Sequence, residues 1–249
     1  MTAPTLIVLA HGSADPRSAG AVREIVATTK RLRPGLRIEL AFLDQVRPDL
    51  DTVVGRLAAK GRSEVVVVPL LLTSTYHAKV DLPAVIHRVN EHYANATVTA
   101  AAVIGPDAGL LSMLDERLRE ALRLARVREL DALVLAATGS ADIRVSASIA
   151  RVARLWGQRH RLPTTVAFAS DAPPSTGEAV REWRRQGKRY VAVGSLVVAP
   201  GELTDRAEEL ALEAGAVAVS RPLGAHDELA RLILARYSVG ALQLVQIPA

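Results

Sequence analysis

LIVLAHGSADPR (Leu6–Arg17) returns almost letter for letter as LVLAATGSADIR (Leu133–Arg144). Each copy carries an apolar run into a glycine, then Ser-Ala-Asp, then an arginine two residues after the Asp. An unbroken apolar run reads as a strand covered on both faces, the glycine as a tight turn, and the Ser or Asp as the cap of a following helix. The phrase is therefore a strand–turn–helix unit written twice. One position breaks the likeness: His11 precedes the glycine in the first copy and Thr138 in the second.

Working outward, short apolar runs alternate with segments of helical spacing. In the first half the predicted strands are Thr5–Ala10, Arg37–Phe42, Glu64–Leu72 and Thr97–Val103. Predicted helices lie at Ala19–Arg33, Asp49–Lys60, Pro83–Tyr93 and Leu110–Ala125. The second half repeats the order, with strands at Ala132–Ala137, Thr164–Phe168, Tyr190–Val198 and Ala216–Val219 and a last helix at Asp227–Arg236. Such alternation implies parallel strands joined by right-handed crossovers. Sliding the chain by 126 residues lays Ala41–Leu72 on Ala167–Val198 without a gap, with 8 identities in 32. The expected fold is α/β: two similar domains, each a parallel β-sheet flanked by helices, related by internal duplication. The expected division is 1–127 and 128–249.

Composition narrows the function. The 249 residues contain no cysteine, which excludes disulfides, thiolate metal sites and a thiol nucleophile and fits a reducing, cytoplasmic setting. No apolar run reaches the roughly 18 residues of a membrane span, and the N-terminus lacks a basic segment of the secretory type. The net charge of +5 favours a polyanionic partner. Aromatics at 3% and the absence of any helix-turn-helix, zinc-finger or RNP-like motif argue against nucleic acid. HGSADPR also lacks the second glycine of a nucleophile elbow and the Gly-Lys-Ser/Thr ending of a phosphate loop.

In open α/β sheets ligands bind beyond the carboxyl ends of the strands. His11, Asp44 and His77 all fall there in the first half, and two imidazoles with a carboxylate suit Fe(II), Co(II), Ni(II) or Zn(II). The duplication supplies an internal control. At the matched positions stand Thr138, Ser170 and Leu203, so the second half keeps the glycine and the strand hydrophobics but none of the three ligand candidates. The other histidines read differently: His87 and His92 as solvated helix residues, His160 as a surface turn residue, His226 as the start of the last helix.

The ordered set LAHGS (Leu9–Ser13), AFLD (Ala41–Asp44) and VPLLLTSTYHAKVDLP (Val68–Pro83) resembles the class II chelatases, which include sirohydrochlorin ferrochelatases, cobaltochelatases and nickel chelatases. VGSLVVAPGELTDR (Val193–Arg206) and RPLGAHDELARLILARY (Arg221–Tyr237) resemble the C-terminal half of the long members of that family. The resemblance implies ATP-independent insertion of a divalent metal, Fe(II) with Co(II) or Ni(II) as alternatives, into sirohydrochlorin. It puts the family's metal-binding and catalytic histidines on His11 and His77 and its acidic residue, usually Glu, on Asp44. Thr75-Tyr76 stand where the family commonly has glycine. The substrate carries eight carboxylates, for which the candidates are Arg17, Arg47 and Lys79, with Ser13, Thr73 and Ser74 as hydrogen-bond partners. No permanently bound cofactor, nucleic acid or membrane enters this reading. Oligomeric state is left open, and a monomer suffices if the second domain forms the other wall of a cleft. A non-catalytic metal or tetrapyrrole carrier is the alternative of a different class.

Overall fold

The computed structural model describes residues 3–72, 81–105, 107, 109–139, 142–170 and 172–245. In the first half, β1 (Thr5–Ala10), β2 (Ile38–Phe42), β3 (Glu64–Pro69) and β4 (Thr97–Ala100) form one parallel sheet in the order β2-β1-β3-β4. The linking helices are α1 (Pro16–Leu32), α2 (Leu50–Ala58) and α3 (Leu82–His92), and α4 (Leu110–Leu124) follows the fourth strand. In the second half β5 (Ala132–Ala137), β6 (Thr164–Phe168), β7 (Val191–Leu196) and β8 (Ala218–Val219) repeat the order as β6-β5-β7-β8. Their helices are α5 (Ile143–His160), α6 (Thr176–Arg185), α7 (Glu202–Glu213) and α8 (Asp227–Val245). The central strands β1, β5 and β7 are buried along their whole length, as unalternating apolar runs require. Among the described residues, expected and observed elements agree in kind and order.

The strand–turn–helix phrase explains itself in both copies. Gly12 and Gly139 adopt φ of +99° and +93°, a region side chains rarely enter. Asp15 and Asp142 then cap α1 and α5, each accepting from the amide of the residue two places on, Arg17 or Arg144, at 2.9 Å. That shared duty accounts for the repeated glycine and aspartate. The chain also bends alike after β2 and β6, where Phe42 and Phe168 donate to the carbonyls of Pro48 and Pro174 at 2.9 Å and both prolines follow cis peptide bonds.

Packed units and sequence repeats are not the same spans. One compact unit is Met1–Gly105 with Ala225–Ala249, the other Pro106–Gly224, so the unit boundaries differ from 1–127 and 128–249 by the placement of two helices. Helix α8 packs on α1, β3 and β4, and α4 packs on β7 and β8. An arginine fixes each. Arg236 donates to the carbonyls of Val103 and Ile104 at 3.0 and 3.2 Å, and Arg117 donates through Nε and Nη2 to that of Leu223 at 3.0 and 2.8 Å. Helix α8 runs nine residues beyond the predicted Arg236. Gly240 permits this, because a Cβ there would stand 2.7 Å from Val66, and Tyr237, buried, donates its hydroxyl to the Pro4 carbonyl at 2.7 Å.

The two cores fill matched positions differently. Trp156 is fully buried over Gly194, where an added Cβ would lie 2.4 Å from the indole. The first half has Thr29 and Val68 at these places, a small–large exchange that conserves filled volume. The Trp156 indole N–H donates to Asp115 of α4 at 2.9 Å, and Asp115 also takes His160 at 2.7 Å and Arg159 at 2.6 Å. His160 is thus not the surface residue its basic turn implied: half-buried, it sets its ring edge-on to Trp156 because a buried carboxylate needs a donor there.

Candidate functional site

Three neighbouring strands end at one rim of the first unit. His11 follows β1, Asp44 stands two residues beyond β2, and the segment after β3 leads toward His77. The order β2-β1-β3 puts the His11 strand in the middle. His77, Thr73, Ser74, Lys79 and the Thr75-Tyr76 pair lie outside the described residues.

His11 and Asp44 are joined through the backbone: the Asp44 amide donates to the His11 carbonyl at 2.9 Å. Half-buried His11 sets Nδ1 3.1 Å from the Gly12 carbonyl. The tautomer protonated at Nδ1 donates there and makes Nε2 the basic nitrogen, the form in which an imidazole ligates metal. The exposed Asp44 carboxylate accepts from the Gln45 amide at 2.7 Å. Among the described residues no group of three or more histidines, aspartates or glutamates converges on a metal-sized site, and His77 is not among them.

The second unit repeats two backbone hydrogen bonds of this rim. The Ser170 amide donates to the Thr138 carbonyl at 3.1 Å, as Asp44 does to His11, and Ala169 donates to Ala137 as Leu43 does to Ala10. The sequence alignment of His11 with Thr138 and of Asp44 with Ser170 is therefore a true structural equivalence. At these two positions the ligand candidates His11 and Asp44 give way to Thr138 and Ser170.

Gly12 is where the rim is tightest. An added Cβ would lie 1.9 Å from the Asp44 carbonyl oxygen, a backbone atom. At Gly139 the nearest atom would be Ser170 Oγ at 2.3 Å, which can rotate away. Positive φ strains either alanine by about 1–3 kcal/mol. Gly12→Ala is expected to cost clearly more than Gly139→Ala in urea melts and to displace the His11–Asp44 pair, whereas equal costs would show that the close approach is unimportant.

The remaining candidates hold local posts. Ser13 Oγ accepts from the Asp15 amide at 3.1 Å. Arg17 grips Asp15 with Nη2–Oδ2 at 2.5 Å, and its hydrogen bonds hold that carboxyl below its ordinary range. Arg144 pairs with Asp142 in the second unit, so the Arg17–Asp15 pair belongs to the shared turn as much as to any ligand. Arg47, largely exposed, pairs with Asp49, the N-cap of α2, and has no counterpart, since Pro173 stands at its place. Outside the rim, exposed His87 pairs with Glu91 at 3.3 Å, exposed His92 stacks on Tyr93, and His226 accepts from the Glu228 amide at the start of α8. Sequence reading missed the cluster at Asp115, whose signal was an acid at 115 in the stripe of Leu111, Leu114 and Leu118.

Comparison with known proteins follows the duplication. The CbiX family model matches twice, at residues 5–121 and 132–239. A protein of Priestia megaterium named sirohydrochlorin cobaltochelatase is 27% identical over 209 residues, covering 83% of this chain and 68% of its own. Another from the same organism, named sirohydrochlorin ferrochelatase, is 25% identical over 236 residues, covering 92% and 87%. Among solved structures, SirB from Bacillus subtilis with Fe3+ superposes with a TM-score of 0.82 over 98% of both chains at 22% identity, a likeness of fold.

Proposed function

This chain belongs to the CbiX family, and on that premise we propose that it is a sirohydrochlorin chelatase, inserting Fe(II) into the macrocycle without ATP to give sirohaem. The observation that carries the reading is the pair of rims: one backbone frame built twice, with His11 and Asp44 on one copy and Thr138 and Ser170 on the other. The second copy makes the matching hydrogen bond with Thr138 in place of the histidine, which supports reading His11 as present for chemistry. The relative named ferrochelatase, aligned over 92% of this chain and 87% of its own, supports Fe(II), and the one named cobaltochelatase, 27% identical, makes Co(II) the alternative.

The chemistry asks for two things. The metal must be held by few ligands so that it can leave, and two pyrrole N–H protons must go as it enters. Neutral imidazole serves both purposes, as a ligand of moderate strength and as an acceptor of a proton near neutral pH. We assign His11 and His77 to presenting the metal substrate and accepting a proton, with Asp44 as an auxiliary carboxylate. Arg47 and Lys79, and Arg17 beyond its capping duty, are assigned to the substrate carboxylates, with Ser13, Thr73 and Ser74 as hydrogen-bonding partners.

The test is turnover. Purified protein mixed with excess sirohydrochlorin and Fe(II), Co(II) or Ni(II) in turn is expected to change the visible spectrum fastest with Fe(II), over many equivalents per protein. Stoichiometric binding without turnover would mark a carrier. A faster rate with Co(II) would reassign the metal and leave the reaction class standing.

A further inference from the structure

The two sheets end differently at matching edges. Strand β2 closes the first sheet with Arg37 and Glu39 paired at 2.9 Å, and Ile38 and Phe42 are buried. Such charges blunt an edge against pairing with another chain. Strand β6, at the same place in the second sheet, reads Thr-Thr-Val-Ala-Phe, has no charge, and leaves Thr164, Val166 and Phe168 half-exposed. Its parallel register with β5, fixed by Leu133 donating to Pro163 and Ala169 donating to Ala137, turns the amides and carbonyls of Thr164 and Val166 outward.

The helices beside this edge differ as well. Where α1 has Pro16, Gly20 and Arg23, α5 has Ile143, Ala147 and Ala150, and Ile143 is 81% exposed. A groove of about 870 Å³ runs between this α5 face and β6, and a second of about 460 Å³ lies between β6 and α6, lined by Thr165, Glu178, Glu182, Trp183 and Arg185. The Trp183 indole N–H is buried with no acceptor among the described residues.

We propose that this edge docks a second copy of the chain, the two β6 strands pairing antiparallel about a two-fold axis at Thr165. Thr164 of each copy then exchanges backbone hydrogen bonds with Val166 of the other, using the outward groups and sparing Phe168, whose amide is held by Pro174. The charges favour a copy over an unrelated strand. Helix α6 has Glu178 at the end beside the carboxyl terminus of β6 and Arg185 at the other. A two-fold axis interchanges these ends, so Glu178 of each copy meets Arg185 of its mate. On the α5 side, Ala147 and Ala150 come opposite the aliphatic stem of the mate's Arg161, which an arginine readily lays on apolar surface. None of the candidate metal or substrate residues takes part.

The natural absence of cysteine makes the test direct. At the axis, Thr165 faces its own copy as a non-hydrogen-bonded pair with Cα atoms about 4.5 Å apart, close enough for a disulfide. Thr165→Cys is expected to yield a disulfide-linked dimer on mild oxidation, and Leu242→Cys, on a surface 65% exposed, to stay largely monomeric. In sedimentation the unmodified chain is expected to dimerise reversibly. Val166→Pro, which removes an outward amide, should weaken the dimer about tenfold or more, and Ala150→Arg, which copies the first half, should weaken it too, both at unchanged chelatase rate. A chain monomeric at every concentration, or a dimer indifferent to both substitutions with no preferential cross-link at Thr165, would overturn the proposal and leave the edge to a strand of a different protein.

Discussion

His11→Ala is expected to lower the chelatase rate about 10²–10⁴-fold, the range over which a positioned acid–base side chain acts, while leaving the thermal midpoint nearly unchanged. His11 is only half-buried, its Nδ1 meets the carbonyl of its own turn, and its carbonyl holds the Asp44 amide, a duty any residue can perform. Thr138 does the same work in the second unit with a different side chain. Thr138→Ala is therefore expected to leave the rate unaltered, and His77→Ala to match His11→Ala. Steady-state insertion followed by visible absorbance, with a circular dichroism melt for each variant, checks all three. Full activity in His11→Ala would falsify the site assignment, although the family would stand.

The duplication is also why so much could be read from the sequence. Strands β1 and β5 have the bounds their apolar runs predict, because a central parallel strand needs nothing but apolar side chains and ends where the glycine turn begins. His11 was visible against Thr138 for the same reason: one chain contained the candidate site and its blank. Asp44 was legible as a rim residue, yet its firmest bond to His11 runs through its amide, which no sequence pattern announces. The unit boundaries were hidden too. Helices α4 and α8 are amphipathic wherever they pack, and the arginines that fix them, Arg117 and Arg236, seek carbonyls distant in sequence. His160 looked solvated because a stretch of arginines surrounds it, and its partner Asp115 lies 45 residues away.

That partner defines the largest expected change in stability. Asp115 is 4% exposed and receives the indole of Trp156, the imidazole of His160 and the guanidinium of Arg159. Asp115→Ala removes the acceptor of a fully buried indole N–H, the hydrogen-bond partner of His160 and the counter-charge of Arg159, and it leaves a void beneath α4. Breaking such a buried arrangement by deleting one partner costs about 3–5 kcal/mol, which in a chain of this length lowers the thermal midpoint by roughly 10 °C. Asp115→Asn keeps an acceptor for Trp156 and loses the charge, so its cost should be smaller, about 1–3 kcal/mol. Arg159→Ala should cost least, because that side chain is 54% exposed and solvent screens its pairing. Both tryptophans, Trp156 and Trp183, lie in the unit that contains α4. Tryptophan fluorescence in urea thus reports that unit alone, and its midpoint should fall in the order Arg159→Ala, Asp115→Asn, Asp115→Ala. If Asp115→Ala left that midpoint in place, α4 would not be held by this cluster, and its membership in the second unit would rest on Arg117 and its buried apolar face.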